Sequence, residues 1–214
     1  EPGSNYLDPD LIADLVHHVN GTIVECNTAY QGSRTETQMH YQVASDHGFT
    51  DIADFVIMDE DGSATIPVEG GTRMTENLVG AHFPEYDGFL VLSHFKGHAI
   101  AGFGGAIKNI SIGMASQEGK CLIHTDGQSH TSPWGGAQDP FLECMAEPDM
   151  HDIGILASTD PVALDQASVD LVYEAEDGAS LVERMESRNA EHVLQHGEEV
   201  GLGNRSYELV SIDE

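Results

Sequence analysis

Apolar residues along this chain recur first at helical spacing and then in short continuous runs, and the two patterns alternate. Leu11, Ile12, Leu15 and Val16 form one face of a helix that Asp8 caps, with Pro9 at its first position and Gly21 ending it. Thr22 to Glu25 is a β-branched run suited to a buried strand. A helical stretch over Thr35 to His47, a strand at Phe55 to Met58 and a turn at Asp59 to Gly62 follow. The run from Gly88 to Ser93 places Phe89, Leu90, Val91 and Leu92 in succession, the signature of a central parallel strand. Ile153 to Ala157 is a second such run. Thr159, Asp160 and Pro161 then open a helix that continues through Val169 and Val172, with Asp160 read as its N-cap rather than a base. Leu181, Val182, Met185, Val193 and Leu194 predict one amphipathic helix over Ser180 to Gln195, ended by Gly197, and Tyr207 to Ile212 a last strand. The alternation predicts an α/β fold in one domain spanning residues 1–214. Its sheet is mostly parallel, helices cover both faces, and the site sits at the strand C-terminal ends.

Composition narrows the partners. Eight Lys and Arg stand against 37 Asp and Glu, a formal net charge of −29 that repels phosphate backbones, so nucleic acid is not expected. A solvated surface adapted to high salt accounts equally well for so acidic a chain. No run approaches the roughly 18 apolar residues of a membrane span, so no membrane is expected as a partner. Cys26, Cys121 and Cys144 are odd in number and widely spaced, which suits neither a disulfide framework nor a metal knuckle and points to a reducing, cytoplasmic setting. The glycine-rich stretch from Thr125 to Pro140, with Trp134, Gly135 and Gly136, reads as the longest loop.

Against this acidic background the three lysines, Lys96, Lys108 and Lys120, fall within residues 96–120, beside Gly102, Gly104 and Gly105. Glycines let backbone N–H groups approach a ligand, and a nearby ammonium completes an anion site. His94 and His98 are four apart in a stretch that Gly97 keeps from being a stable helix, and a loop bearing two histidines can still ligate a metal. Either histidine can instead be a hydrogen-bonded residue at a strand end. Lys108 and Asn109 directly follow the glycines, and Lys120 and His124 come shortly after. A lysine so placed can clamp a carboxylate, pair with a phosphate or act as a covalent tether. His130, His151 and the thiols of Cys121 and Cys144 are near enough in sequence to join a metal shell. The simpler reading of Cys121 and Cys144 is an inward, packed thiol.

The combination of GSR at Gly32 to Arg34, HFKGH at His94 to His98, GFGGAIKN at Gly102 to Asn109, GK at Gly119, DPVALDQA at Asp160 to Ala167 and the terminal GLGNRSYELV resembles the domain of unknown function 362 family, proteins often found beside or fused to ferredoxin modules. The resemblance implies that the opening residues correspond to an interior stretch of the family, with a strand expected upstream. Many relatives carry C-x-x-C-x-x-C iron–sulfur ligands after the GK segment. This chain has one cysteine there, so no iron–sulfur cluster is expected within it. A more distant pattern, formed by His98, Phe103, Gly104, Gly105 and Lys108, is similar to lactate racemase, which tethers a nickel-pincer nucleotide to a lysine. That resemblance implies His98 as acid or base, Lys108 as tether and His124 as metal ligand. The racemase's second acid–base histidine has no counterpart here, Ser33 standing in its place.

Two functions are therefore expected in competition. In the first, the chain is a metal- or cofactor-dependent enzyme for a small anionic substrate, of isomerase or redox type by the distant resemblance. His98 and Lys108 are catalytic; Lys96, Gly104, Gly105, Lys108, Asn109 and Arg34 bind the anion or cofactor; and His94, His98 and His124 ligate nickel, zinc or iron. In the second, the chain is a non-catalytic module without bound metal that docks a ferredoxin-like partner. Simple anion sensing or cofactor transport is a weaker third.

Overall fold

A computed structural model describes residues 6–69, 74–134 and 150–212. Contacts divide the chain into two compact units, each built from two stretches of sequence: unit 1 from residues 1–90 and 110–137, unit 2 from 91–109 and 138–214.

Unit 1 begins with α1 (Pro9–Val19), capped by Asp8, whose carboxylate accepts the Asp10 amide at 3.0 Å. Asn20 takes the left-handed conformation that closes the helix. Strands β1 (Ile23–Glu25) and β2 (Phe55–Ile57) pair in parallel, with α2 (Thr37–Asp46) and a single turn, α3 (Phe49–Ile52), in the crossover between them. An antiparallel pair follows, β3 (Ser63–Pro67) with β4 (Glu76–Gly80). Against it lies α5 (Gln117–His124), N-capped by Ser116. The approach is close enough that a side chain at Gly119 would run into the Leu78 carbonyl, which is why the GK motif has a glycine at that point. Ile57, Met58, Val79, Ala115, Cys121 and Leu122 form the buried interior of this unit.

Unit 2 carries a short antiparallel hairpin, β5 (Lys96–His98) with β6 (Gly102–Gly104), in the register Lys96 to Gly104, Gly97 to Phe103 and His98 to Gly102. A helical turn, α4 (Ala106–Lys108), continues directly into a π-helical stretch at Asn109–Gly113. Three helices complete the unit: α6 (Pro161–Glu174), α7 (Ala179–Ser187) and α8 (His192–Glu199). Its core joins Phe103 to Val169, Val172, Leu181, Met185, Ala190 and Leu194, with Phe95, Ile107, Met150 and Val182 packed against them.

The fold mixes helices with small sheets, and the differences from expectation have local causes. Among the described residues the strands form three two-stranded sheets, of which β1 with β2 is parallel and the other two antiparallel. The apolar runs at 89–93, 153–157 and 207–212 are not strands, because an apolar run makes a segment fit for a sheet while a strand also requires a hydrogen-bonded neighbour. The one helix expected over Ser180 to Gln195 is two, α7 and α8, broken where Asn189 turns left-handed at φ 52°. Gly197 does not end α8. It lies inside the helix, where its bare backbone gives room to the Val162 side chain, and the left-handed turn beyond the helix falls at Gly201, φ 76°. Gly135, Gly136, Pro140 and Cys144 lie outside the described residues.

Candidate functional site

The hairpin of unit 2 sorts its residues by alternation. Directly opposed residues of an antiparallel pair share a face. Gly97 and Phe103 therefore share one, and Phe103 stacks on Phe95 at 4.9 Å between ring centroids, within the core. Lys96 and Gly104 share the other. A Cβ built on Gly104 would stand 3.1 Å from Cδ of Lys108, so the Lys108 stem crosses the very position opposite Lys96. The register thus places Lys96 and Gly104 on the face opposite Gly97 and Phe103, with the Lys108 stem passing over Gly104.

His98, at the end of β5, accepts at Nδ1 from the amides of Ile100 (3.3 Å) and Ala101 (3.1 Å). A neutral imidazole that accepts at Nδ1 carries its proton on Nε2, so the bonds fix His98 as a proton donor at Nε2 and make that nitrogen a poor metal ligand. His94 has a buried Nδ1 with no hydrogen-bond partner among the described residues. Asn109 is spent on the backbone, its amide donating to the Leu92 carbonyl and the Ser93 hydroxyl at 3.0 Å each, which pins the segment leading into the hairpin.

The glycine turn itself is engaged from within. The amides of Ala106 and Ile107 donate to the two carboxylate oxygens of Asp165, at 2.6 and 2.9 Å, and a Cβ at Gly105 would collide with that carboxylate. Burial pushes the Asp165 carboxyl above its ordinary range, and the two amide bonds offset only part of that rise. In sequence Asp165 stands out only as a carboxylate near Asp160 with no role of its own, although a signal is present. It lies three residues after Val162 and four before Val169, on the apolar face of α6, where a carboxylate demands buried donors. Asp160 is the N-cap expected of it. One oxygen accepts from Val162 and Ala163, and the other takes the Asn204 amide at 2.8 Å, tying the terminal glycine motif to the start of α6.

Arg34 and His124 belong to unit 1. Arg34 is half-buried in the loop that follows β1, where its carbonyl accepts the Thr28 amide at 2.9 Å. Tyr30 of the same loop faces Trp134, 6.4 Å between centroids, so the described part of the long loop reaches this region. His124 donates from Nδ1 to the Lys120 carbonyl at 2.6 Å, which leaves the lone pair on Nε2, the tautomer found in metal-ligating histidines.

Lys120 is a different matter from its two companions. Only 6% exposed, its ammonium donates to the carbonyls of Cys26 (3.3 Å), Asn27 (2.8 Å) and Ala115 (2.8 Å), one for each proton. It stands in a buried polar network at the carboxyl ends of β1 and β2. There Asp59 receives the amides of Asn27 and Gln117, Gln117 donates to the carbonyls of Thr28 and Thr35, and Asn27 accepts from His40. An open groove of about 470 Å³ lies at the amino ends of the same two strands, lined by Val16, His17, Gly21, Thr22, Ala53 and Asp54, far along the chain from the lysines. Among the described residues, Glu60, Asp61 and His82 bring three ligand atoms within 4.8 Å of one another on an exposed turn. His82 there already bonds Asp61 and Glu85 at 3.0 Å each.

No curated protein and no solved structure matches this chain. A family model, described as a domain of unknown function (DUF362), matches residues 1–149 of the 214. The matched stretch contains the GSR, HFKGH, GFGGAIKN and GK segments and stops before DPVALDQA and GLGNRSYELV. With more than two thirds of its length matched, the chain belongs to the DUF362 family.

Proposed function

We propose that the chain is a metal- or cofactor-dependent enzyme domain whose ligand is a small anion held at the unit 2 hairpin. One observation carries the reading: Lys96 pairs with Gly104 across the hairpin and the Lys108 stem passes over that same Gly104, and these are two of only eight Lys and Arg in a chain of net charge −29. Positive charge is scarce everywhere else on so acidic a chain, which makes this face the natural place for a small anion. The hydrogen bonds of His98 support its expected part, an Nε2 proton poised for transfer, with Nδ1 held by two amides so that the ring cannot turn. The tautomer of His124 and the unpartnered buried Nδ1 of His94 fit metal ligation better than His98 does. A divalent nickel, zinc or iron ion held by such a histidine would supply Lewis-acid polarisation of a substrate oxygen. The chain's own residues would orient the anion through Lys96 and Lys108 and move a proton at His98. Isomerase or redox chemistry rests on the lactate racemase pattern alone. A cytoplasmic setting and an iron–sulfur-associated context belong to the same reading.

The alternative, a non-catalytic module for a ferredoxin-like partner, draws support from how much of the segment is spent internally. Lys120, Asn109 and the Ala106 and Ile107 amides all serve the fold. Metal content of protein purified without chelator or nickel resin separates the two. The enzyme reading expects a stoichiometric metal that is lost in His124→Ala and kept in His98→Ala, and binding of small carboxylates that is lost in Lys108→Ala. No metal in the wild type, with ligand binding indifferent to Lys108, would leave the partner module.

A further inference from the structure

Two of the amides that a glycine-rich turn would offer a ligand, those of Ala106 and Ile107, are already taken, and the group that takes them is a carboxylate. Asp165 is 1% exposed and its two oxygens receive one N–H each, from consecutive residues of the turn. Gly105 leaves no other space for that carboxylate, since any side chain there would occupy its place. Two residues on, the amide of Asn109 closes the helical turn onto the Gly105 carbonyl at 3.0 Å. The cradle is thus a built anion site with a resident anion brought from α6, 59 residues away in sequence from Ala106.

We propose that Asp165 is the resident anion of the glycine turn and the positioning residue for Lys108. By holding Ala106 and Ile107 it sets the first turn of α4, whose third residue is Lys108. By filling the cradle it also sends a ligand's anion to the ammonium groups of Lys96 and Lys108 instead of to the backbone. The second half rests on the functional reading above, and the first half stands without it. The chemistry is specific: a phosphate chain bound through the Ala106 and Ile107 amides is excluded, and the anion expected is one small enough for two lysine side chains to hold, such as a monocarboxylate.

The test is amide NMR on the full chain, with sodium acetate or sodium phosphate replacing chloride at constant ionic strength. In the wild type the Ala106 and Ile107 resonances are expected to stay still in both salts. In Asp165→Gly, which vacates the cradle, both should move downfield and saturate with acetate, and the unfolding midpoint should rise with acetate by more than in the wild type. Asp165→Asn keeps an oxygen acceptor, so it should fold without acetate, show both amides upfield of the wild type and ignore the added anion. Wild-type amides that respond to phosphate, or an Asp165→Gly variant indifferent to acetate, would overturn the proposal. If Asp165→Gly is unfolded in chloride, recovery of its circular dichroism in acetate is the expected result, and no recovery counts against it equally. Carboxylate binding that survives Lys96→Met with Lys108→Met removes the lysine half while the Ala106 and Ile107 shifts still decide the other.

Discussion

Lys120 shows how little a residue type says about its role until its surroundings are known. Burial lowers its pKa, and three carbonyls answer its three protons, so it holds the carboxyl end of β1 and the start of α5 together. Lys120→Met keeps the stem and removes the donors. With Cys26, Asn27 and Ala115 carbonyls then left buried, urea denaturation should report a loss of about 2–4 kcal/mol. An unchanged midpoint would mean that water takes over those carbonyls. His40 gives a pH-dependent counterpart. Its ring is 2% exposed, donates to Asn27 Oδ1, and is held neutral with its pKa lowered to about 4, chiefly by burial and next by the positive charges of Arg34 and Lys120. The unfolded state takes up a proton near pH 6.5 and the folded state does not until about pH 4. Stability from this group is therefore constant above 6.5 and falls as pH drops toward 4, by roughly 3 kcal/mol over the window. Subtracting the His40→Gln stability curve from the wild type isolates this part, and a flat difference between pH 4 and 6.5 would refute it.

At the scale of elements, caps were legible and breaks were not. Asp8 and Asp160 followed by proline announce α1 and α6, because a short acceptor side chain and a pre-set φ are both local properties. Asp160→Ala removes acceptors for Val162, Ala163 and Asn204 together. A loss of about 1–2 kcal/mol is expected, with faster hydrogen exchange at Asn204 marking release of the terminal segment. Equal exchange at Asn204 in both proteins would show that this tie does not hold the segment. The break between α7 and α8 escaped the pattern because Leu181, Met185 and Leu194 stay on one apolar side across it. The left-handed turn at Asn189 is chosen by packing on Phe103 and not by periodicity. Likewise β3, β4, β5 and β6 hold few apolar residues in sequence and exist as strands through their partners.

For the whole molecule, charge outweighs every other surface property. A net charge of −29 on 214 residues repels itself most strongly at low ionic strength, where the Debye length is about 10 Å at 0.1 M against about 3 Å at 1 M. The unfolding temperature should climb steadily between 0.1 and 2 M potassium chloride, and more than that of a near-neutral control protein. A temperature flat across that range would show that the acidic groups are already compensated within the fold. No described helix is long and apolar enough to cross a membrane.

The sequence by itself determined the acidic surface, the capped helices, the apolar runs, the family and the concentration of Gly, His and Lys at residues 93–124. These are properties of neighbouring residues or of composition, and folding does not alter them. Only the tertiary structure decided which members of that segment face a ligand and which hold the fold. Lys120 turned inward because three carbonyls at the end of β1 and before α5 awaited it. The glycine turn closed on Asp165, a carboxylate far away in sequence. Lys96 came opposite Gly104, over which the Lys108 stem passes, because antiparallel register, with Phe103 in the core, sets which residues share a face. Such pairings depend on hydrogen-bond partners brought from distant parts of the chain, and spacing along the sequence does not encode them.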